Sequence, residues 1–481
     1  MAKRYSLLLS IILLFLGCKK ADDNIQNQIT TNSDLTIFIV NDIHGQLHNF
    51  PKIKQIVDKE RLSKRVILCC GGDIFSGNPV VDNYEDKGYP IIDVMNQCGF
   101  NISVVGNHEF DYGEDILKER MEQANFDWVC ANVDMGNSLV PEPYEYNTLI
   151  IDSLRVTFLG LIETNGMMEA TIPSTHPFRV QNFTFDRPEN VVAQYSNVKG
   201  NENADLYIAL THLGHGYHQY SMGDYDLAED FPYFDLIIGG HSHAALYDSI
   251  YGIPVFQAGS YLNYLGKIKL TIKNKRIYNY SYDLIDLNNY QNVDAELQSL
   301  INQYDENISV VLDEVIGFSH TFHEKYQLGC FYTDALRERL EADVCFQNTG
   351  GIRTSLNQGD ITVREIYEID PFNNNALKCE MSVADIKSFL KGSGAGFYYS
   401  GVQIEQNQNS VVIRDLSNNI LDDSIILDIG INDYIPAVYP SFFPEAVEIQ
   451  DYTTAQALIY YLQNMNDQVN YTDCDNYFRF Q

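Results

Sequence analysis

The sequence has few basic residues for a chain of 481 residues. Its 32 Lys and Arg stand against 65 Asp and Glu, which gives a formal net charge of −33. A chain this acidic is repelled by the phosphate backbone of nucleic acids, so we exclude nucleic-acid polymers as partners. A small anionic substrate remains compatible with this charge if metal ions and a few arginines reverse the field locally.

Cysteines are also few, and they lack the spacing of a metal-binding or redox motif. Nine are present, and no two of them form a CxxC pair. They are scattered too thinly for a disulfide scaffold. Cys69 and Cys70 lie inside the apolar run VILCC, where we expect buried and reduced thiols. One or two disulfides among the others are compatible with an exported protein, and the sequence leaves their pairing open.

The apolar run near the N-terminus, Leu7–Leu16, is too short to span a bilayer and predicts the core of a signal peptide. Gly17-Cys18 at its end resembles a bacterial lipoprotein processing site. We therefore predict a signal peptide at residues 1–18 and a lipid on Cys18; an ordinary secretory signal is the alternative. Polar residues 19–33 predict a flexible tether. The expected location is the outer membrane, on its periplasmic or its outer face.

The length predicts two domains. Between residues 34 and 290, apolar runs typical of strands alternate with polar helical stretches, which indicates an α/β fold. Further on, Leu297 and Ile301 recur at helical spacing behind a potential N-cap, Asp294. We predict a linker helix at residues 291–310 and a second domain at residues 311–481. The other predicted helices are Ile53–Leu62, Pro90–Gln97, Ile116–Gln123, Tyr332–Glu341, Val383–Lys391 and Thr454–Met465.

Polar clusters follow directly after apolar runs at several points of the first domain. In layered α/β folds, ligands bind outside the carboxyl ends of the strands, so we expect these clusters at one rim. Imidazole and carboxylate donors favour Mn, Zn, Fe or Co over Ca. The number of donors suits two divalent ions that share one carboxylate. The predicted ligands are Asp42, His44, Asp73, Asn107, His212, His241 and His243.

Each cluster alone is weak evidence, because an Asp-x-His sequence at a strand end is more often structural. Together they have little explanation other than a metal site. His108 follows Asn107 directly, so the two side chains are poorly placed to bind one metal, although a further ligand remains the alternative role. Asp111 lies three residues on and is placed to orient the ring. We predict that His108 stabilises charge and protonates a leaving group.

The blocks NDIHGQ, GGDIFSGNP, GNHEFDYG, THLGHG, IIGGHSHA and FQAGSYLNYLGK resemble the signatures of calcineurin-like metallophosphatases, and more closely those of the bacterial 5′-nucleotidase family. The resemblance covers the chain from Asp34 to its end. It implies a four-layer α/β/β/α metallophosphatase domain, joined by a linker helix to a smaller α+β substrate-binding domain. It also implies one metal on Asp42, His44, Asp73 and His243, a second on Asp73, Asn107, His212 and His241, and a catalytic dyad of His108 and Asp111.

The second domain carries further blocks of this resemblance. The block NTGGIR ends in Arg353, whose guanidinium offers a fixed fork for phosphate. The resemblance implies that Asn348 and Arg353 contact phosphate and that Phe372 and Tyr434 stack on the two faces of a base. It also implies that Gly401 belongs to a loop at the same pocket. Core packing is the alternative role of the two aromatic rings.

Two features depart from the family pattern. The block around Tyr434 lacks the Gly-Gly-Asp portion that holds the ribose, so recognition of the sugar stays open. The stretch directly before Gly329 contains no arginine, although the family often has a further phosphate contact there. His320, His323 and Lys325 are candidate substitutes.

The resemblance implies an exported, metal-dependent hydrolase that removes phosphate from 5′-nucleotides by attack of a hydroxide bound to two metals. Residues 291–310 would then be the hinge about which the second domain rotates. An alternative with the same metal site is a nucleotide-sugar or dinucleotide pyrophosphatase, or a cyclic-nucleotide phosphodiesterase. A remote alternative is a surface lipoprotein that binds nucleotides or metals without turnover. The expected partners are a small nucleotide and the membrane, and the oligomeric state is left open.

Overall fold

A computed structural model describes residues 33–167, 170–216, 221–407, 410–465 and 468–480. The predicted signal peptide, the lipidation site Cys18 and nearly all of the predicted tether lie outside these residues. Among the residues described, no helix combines the length and the apolar character needed to cross a membrane.

The first half of the chain alternates strands with helices, as the sequence predicts. Its strands are β1 (Ser33–Val40), β2 (Val66–Cys70), β3 (Ile102–Val104), β4 (Asp127–Val129), β5 (Val133–Asp134), β6 (Tyr146–Ile151), β7 (Leu154–Ile162), β8 (Thr184–Phe185), β9 (Leu206–His212), β10 (Leu236–Ile238), β11 (Ala245–Ile250), β12 (Ile253–Ala258), β13 (Tyr264–Lys273) and β14 (Arg276–Asp286). Its helices are α1 (Phe50–Arg61), α2 (Pro79–Asp82), α3 (Tyr89–Cys98), α4 (Glu114–Gln123), α5 (Pro188–Val191), α6 (Val198–Asn201) and α7 (Asp224–Asp230). The three helices predicted here are present as α1, α3 and α4.

Two six-stranded sheets form the centre of this half. One has the order β14-β13-β1-β2-β3-β4, and the other has the order β11-β12-β10-β9-β7-β6. The strands β1 to β4 run parallel, as do β7, β9, β10 and β12. Parallel strands bring their carboxyl ends to one edge of a sheet, which is where the predicted ligands follow.

Alternate residues of β1 pack into two different cores, because successive side chains of a strand point to opposite faces. Ile37 and Ile39 pack with Phe158 and Leu210 of the other sheet. Phe38 points the other way and packs into the cluster that includes α1 and α3. Helix α7 covers the outer face of the second sheet. The four-layer α/β/β/α architecture is thus confirmed.

Helix α8 (Ala295–Leu312) leads from the first half to the second. The Asp294 carboxylate accepts a hydrogen bond from the Leu297 backbone N–H at 2.9 Å, so the predicted N-cap is confirmed. The Tyr304 hydroxyl donates to Asp93 Oδ2 in α3 at 2.6 Å, which ties the helix to the helical layer of the first sheet. The role of this segment as a hinge stays a prediction.

The second half is a smaller α+β unit. Its strands are β15 (Val315–Ser319), β16 (Val344–Asn348), β17 (Gly359–Thr362), β18 (Asn375–Ser382), β19 (Gly396–Ser400), β20 (Gln403–Asn407), β21 (Ser410–Arg414), β22 (Ile426–Asn432), β23 (Glu448–Thr453) and β24 (Tyr477–Arg479). Its helices are α9 (Lys325–Leu340), α10 (Val363–Ile369), α11 (Val383–Gly392), α12 (Tyr434–Val438) and α13 (Thr454–Asn464). The main sheet has the order β23-β18-β22-β16-β19-β24, with α9 and α13 on one face and α11 on the other.

A disulfide between Cys330 and Cys474 joins α9 to the C-terminal segment before β24. The sequence left this pairing open, because no spacing rule relates two cysteines separated by 144 residues. Cys69 and Cys70 are buried and unpaired, as predicted.

Candidate metal centre

The predicted ligands of the first domain follow the strand ends of both sheets. Asp42 and His44 follow β1, and Asp73 follows β2. Asn107 follows β3, His212 ends β9, and His241 and His243 follow β10. The rims of the two sheets face each other, so that side chains far apart in sequence meet. The His212 ring lies 3.0 Å from Asp73 Oδ2 and 3.1 Å from Asn107 Oδ1.

Several of these residues have a backbone conformation that is rare for residues other than glycine. Positive φ angles are found at Asp42 (52°), His44 (50°), Asp73 (56°), His241 (76°) and His243 (56°). Asp and His adopt this left-handed region more readily than most side chains. Such strain persists only where the surrounding structure imposes it, and it clusters at functional sites.

The ring nitrogens of two histidines are prepared for metal binding by backbone carbonyls. The Nδ1 atom of His44 lies 3.1 Å from the Ser76 carbonyl, and Nδ1 of His212 lies 2.7 Å from the Gly71 carbonyl. A carbonyl only accepts, so Nδ1 carries the proton in both rings. In the neutral ring of His44, Nε2 is therefore left with a lone pair, which is the arrangement of a metal-binding histidine. Burial lowers the pKa of His212, but the Asp73 carboxylate outweighs burial and raises it to about 10, so a metal ion would replace the proton on Nε2 of this ring.

The donor atoms form overlapping groups in which all atoms lie within 4.8 Å of one another. One group is Asp42, His44 and His243, another is Asp73, His212 and His241, and a third, made of His44, Asp73 and His108, shares one residue with each of them. The Nε2 atoms of His44 and His243 face each other at 3.0 Å. The lone pair on Nε2 of His44 can accept from an N–H of His243 or bind a cation that the two rings share. The residues present thus fit divalent metal ions.

The protonation of the neutral imidazoles agrees with this fit. Burial lowers the pKa of His44 well below its usual range. Burial, together with the nearby Arg353 guanidinium, lowers the pKa of His243 to about 4. Both rings are therefore neutral at physiological pH, as a metal ligand must be.

His108 and Asp111 form the predicted pair. The two residues begin and follow a short 3₁₀ helix, His108–Phe110, which places Nδ1 of His108 2.6 Å from Asp111 Oδ2. The Ser76 hydroxyl donates to the same carboxylate oxygen. The other ring nitrogen lies 4.0 Å from Asp73 Oδ2, so it faces the metal cluster. Burial lowers the pKa of His108, but the Asp111 and Asp73 carboxylates outweigh burial and raise it.

Residues of the second domain reach the same cavity, which has a volume of about 260 Å³. Asn348, Arg353, Phe372 and Tyr434 line it together with the metal cluster. The Arg353 guanidinium of the second domain lies 3.4 Å from Nε2 of His44, one of the predicted metal ligands of the first domain. The ring of Phe372 stacks on that of His108 at 5.9 Å.

Gly401 is the one predicted substrate residue that lies elsewhere. It follows β19, whose antiparallel partner β16 pairs Cys345 with Ser400 and Asn348 with Phe397. Asn348 is at the cavity, so Gly401 lies at the opposite end of this strand pair, against the backbone carbonyl of Asp343. The glycine permits that close approach and does not line the cavity.

The candidate substitutes for a second phosphate-binding arginine are also placed apart from the cavity. The two ring nitrogens of His323 face the Ser319 hydroxyl at 3.1 Å and the Tyr471 N–H at 2.9 Å. His320 is exposed and contacts Gln468. Neither histidine lines the cavity, and nor does Lys325.

A segment of the first domain that the sequence did not predict as functional also borders the cavity. Ser174, Thr175, His176 and Arg179 line it, and Asn374 of the second domain does so as well. The residues of the first domain lie in a loop and in a short 3₁₀ helix (Pro177–Arg179), and this segment has neither strand nor helix periodicity. The one available signal was a histidine and an arginine close together in an acidic chain.

Comparison with known proteins agrees with this geometry. Residues 35–245 match the family model of calcineurin-like phosphoesterases, and residues 310–424 match that of the 5′-nucleotidase C-terminal domain. The chain belongs to the 5′-nucleotidase family. It is therefore a metallophosphoesterase, and its family implies divalent metal ions.

Individual relatives are distant in sequence but extend along most of this chain. The 5′-nucleotidase of Vibrio parahaemolyticus is 26% identical over 86% of this chain and 85% of its own length. The trifunctional nucleotide phosphoesterase protein YfkN of Bacillus subtilis is 27% identical over 74% of this chain, which spans only 27% of that protein. The crystal structure of a 5′-nucleotidase precursor from Thermus thermophilus has a TM-score of 0.76 at 19% identity, and the match covers 89% of this chain and 96% of that one.

Proposed function

We propose that this enzyme removes the phosphate from 5′-nucleotides. The observation that carries the proposal is that three kinds of binding group line one cavity. A metal cluster, the Arg353 guanidinium and the rings of Phe372 and Tyr434 all line it. A nucleotide offers a matching phosphate at one end and a flat base at the other.

The metal ligands proposed are those predicted from the sequence. Asp42, His44, Asp73 and His243 would hold one divalent ion, and Asp73, Asn107, His212 and His241 would hold a second. When bound, two such ions polarise the phosphoryl oxygens and lower the pKa of a water molecule. Nitrogen and oxygen donors without a thiolate favour Mn, Zn, Fe or Co.

The other residues act on the substrate directly. Arg353 presents a planar cation to the phosphate beside the metal cluster. Burial lowers the pKa of His108, but the Asp111 and Asp73 carboxylates outweigh burial and favour the protonated ring. In that form Nε2 would donate to the charge that develops on the phosphoryl group or the leaving oxygen. Phe372 and Tyr434 contact the base. Asn348 lies close to the phosphate, where Asn432 fixes its amide through a 2.9 Å hydrogen bond.

A second candidate is the cleavage of phosphodiesters or diphosphates, such as nucleotide sugars, dinucleotides or cyclic nucleotides. The segment that would carry the ribose-binding Gly-Gly-Asp instead contains Tyr439 and Phe442, which pack against Phe389. The acidic residue of the block around Tyr434, Asp433, accepts a hydrogen bond from the amide of Asn375 at 3.0 Å. A pocket without a dedicated ribose carboxylate discriminates less strictly against substrates other than simple nucleotides.

The test is hydrolysis by the fragment that starts at Asp34, with Mn²⁺ added. It is followed by phosphate release and by chromatography of the nucleotide products, because cleavage of NAD, UDP-glucose or a cyclic nucleotide frees no phosphate. AMP, ATP, UDP-glucose, NAD and a cyclic nucleotide are compared at equal concentration. We expect the highest kcat/KM with AMP. Preference for NAD or UDP-glucose, with little turnover of AMP, would establish the second candidate. A metal-loaded protein that hydrolyses none of them would leave only nucleotide or metal binding.

Export and a lipid anchor on Cys18 belong to the same proposal. The disulfide Cys330–Cys474 supports export, because disulfides persist in oxidising compartments. The full-length chain produced in a bacterium is expected to incorporate labelled palmitate and to sediment with outer membranes. Cys18→Ala should abolish the label. A wild-type chain that is exported without any label would favour an ordinary secretory signal.

A further inference from the structure

We propose that Arg179 is a positioning residue that couples the Asp111 carboxylate to the part of the cavity that holds the base of the substrate. The proposal rests on the proposed function, because it concerns how the two ends of a nucleotide are held at the same time. Arg179 belongs to the first domain, and neither the metal cluster nor the predicted phosphate site includes it.

The guanidinium of Arg179 bridges the two domains. Its Nη1 atom lies 3.3 Å from Oδ1 of Asp111 in the first domain. Its Nη2 atom donates to the main-chain carbonyl of Phe372 in the second domain at 2.6 Å. The side chain is only 17% exposed. A planar guanidinium has several donors in a fixed fork, so one side chain satisfies both acceptors without rearrangement.

On the first-domain side, Arg179 holds the oxygen of Asp111 that faces away from His108. The His108 ring and the Ser76 hydroxyl both contact Oδ2, whereas Oδ1 contacts Arg179 and, more distantly at 3.4 Å, the Thr175 hydroxyl. Without Arg179 the carboxylate would lose its charged partner on Oδ1. The orientation of the His108 ring depends on that carboxylate, so Arg179 acts on the reaction through Asp111.

On the second-domain side, Arg179 fixes the backbone from which the Phe372 ring projects. The ring stacks on His108 and has the Arg353 guanidinium 5.6 Å from its centre. The loop before Arg179 adds one further contact near the metal cluster and one to the aromatic residues of the second domain. The Ser174 carbonyl accepts from the Asn107 amide at 3.1 Å, and the His176 ring lies 6.0 Å from that of Tyr434.

These contacts have a consequence for specificity. A substrate with a base engages Phe372, and its phosphate lies near His108. Arg179 contacts both Asp111, which orients His108, and the backbone of Phe372. Its removal should therefore lower the activity on a nucleotide more than the activity on a sugar phosphate. Ribose 5-phosphate carries the same phosphate and sugar without the base, and it serves as the comparison substrate.

The test compares AMP and ribose 5-phosphate as substrates of the wild type, Arg179→Lys, Arg179→Gln, Phe372→Ala and the double variant Arg179→Lys with Phe372→Ala, all loaded with Mn²⁺. Arg179→Lys retains the charge, but its single ammonium cannot reproduce the fork.

We expect Arg179→Lys to lower kcat on both substrates by about tenfold, because Asp111 loses its charged partner. On AMP we expect a further loss of about tenfold in kcat/KM, through Phe372. In the Phe372→Ala background this additional loss should vanish. Arg65→Gln, at a half-buried arginine paired with Asp152 and outside the cavity, is the control and should behave as wild type.

Equal losses on the two substrates, or an additional loss on AMP that persists without the Phe372 ring, would overturn the coupling. Full activity of Arg179→Lys and Arg179→Gln would overturn the proposal as a whole. Melting temperatures of all variants identify any that fail to fold, and Arg179→Lys is the least disruptive of them. A wild-type enzyme that hydrolyses ribose 5-phosphate but not AMP would refute the nucleotidase function itself, and that outcome is read before any variant is compared.

Discussion

At the scale of single residues, His108 combines one ring nitrogen fixed by Asp111 with another that faces the metal cluster. We expect His108→Asn to lower kcat for phosphate release by about 10²- to 10⁴-fold, the range for loss of a general acid or base. The metal content, measured by elemental analysis, should stay at the wild-type level, because the predicted ligands remain. The exposed His320 is the matched control, and His320→Asn should leave kcat unchanged.

The same pair of measurements addresses the alternative role of His108. A metal content that falls in parallel with kcat would mean that His108 is itself a ligand. In that case Asp111 would orient a ligand rather than a proton donor.

Asp82, at the end of α2, is a buried carboxyl group outside the metal cluster. Burial raises its pKa to about 7. The hydrogen bonds from the Tyr112 hydroxyl and the Gly77 N–H lower the pKa but do not outweigh burial. The unfolded chain has the ordinary value of 3.8, so between pH 4 and 7 the folded state binds more protons than the unfolded state. The contribution of Asp82 to stability is therefore lost as the pH rises through this window.

We expect Asp82→Asn, which mimics the protonated group, to remove this pH dependence. Its free energy of unfolding relative to wild type should increase from pH 4 to pH 8, by at most about 4 kcal/mol. Urea unfolding at several pH values measures the difference directly. A constant difference between the two proteins across this range would show that Asp82 ionises normally in the fold.

The sequence allowed most of the centre to be located, because each predicted ligand directly follows an apolar run. His176 and Arg179 were not found, since they lie in a loop whose position is fixed by contacts with the second domain. The left-handed backbone conformation of Asp42 and His241 could not be predicted from the sequence either. It arises from the surrounding strands and not from the local residues.

At the scale of elements, the short helix His108–Phe110 joins the loops that follow β2 and β3. Its buried Glu109 accepts hydrogen bonds from the backbone N–H groups of Gly106 at 2.6 Å, Ile74 at 2.7 Å and Asp73 at 3.1 Å. Only an acceptor with two oxygens satisfies all three donors, so these bonds hold the two loops in register.

We therefore expect Glu109→Gln to destabilise the protein by about 2 to 3 kcal/mol, because the new amide would face a buried N–H donor. Denaturant unfolding measures the loss, and metal binding should weaken in the same variant. Glu306→Gln, at an exposed position on α8, is the control. Wild-type stability of Glu109→Gln would mean that the two loops do not depend on these hydrogen bonds.

Helix bounds were predictable where one face of the helix is apolar and the other polar, as in α1 and α11. Helix α9 begins at Lys325, well before the predicted Tyr332. Its interior residues Leu328, Phe331 and Leu336 are all buried, so the helix lies between the sheet and α13 with little of the alternation on which the prediction relied.

At the scale of the whole molecule, the centre depends on the meeting of two sheets and a second domain. Asp42 and Asp73 are buried carboxylates in a chain with a net charge of −33, and Arg353 is the only arginine within hydrogen-bonding distance of the predicted ligands among the residues described. Divalent cations at this point would offset the charge that the carboxylates bring into the interior. Because the ligands come from strands of both sheets, metal binding should stabilise the whole first domain.

Removal of metal by a chelator should therefore abolish phosphate release and lower the melting temperature by several degrees. Mn²⁺, Co²⁺ or Zn²⁺ should restore the melting temperature in a concentration-dependent way, since only the folded state offers the site. Ca²⁺ at the same concentration should restore little, because four of the seven predicted ligands are histidines and Ca²⁺ prefers oxygen. His243→Asn should reduce the gain in melting temperature with Mn²⁺, which ties the effect to this centre. Restoration by Ca²⁺ equal to that by Mn²⁺ would instead point to a site made of oxygen ligands elsewhere on this acidic surface.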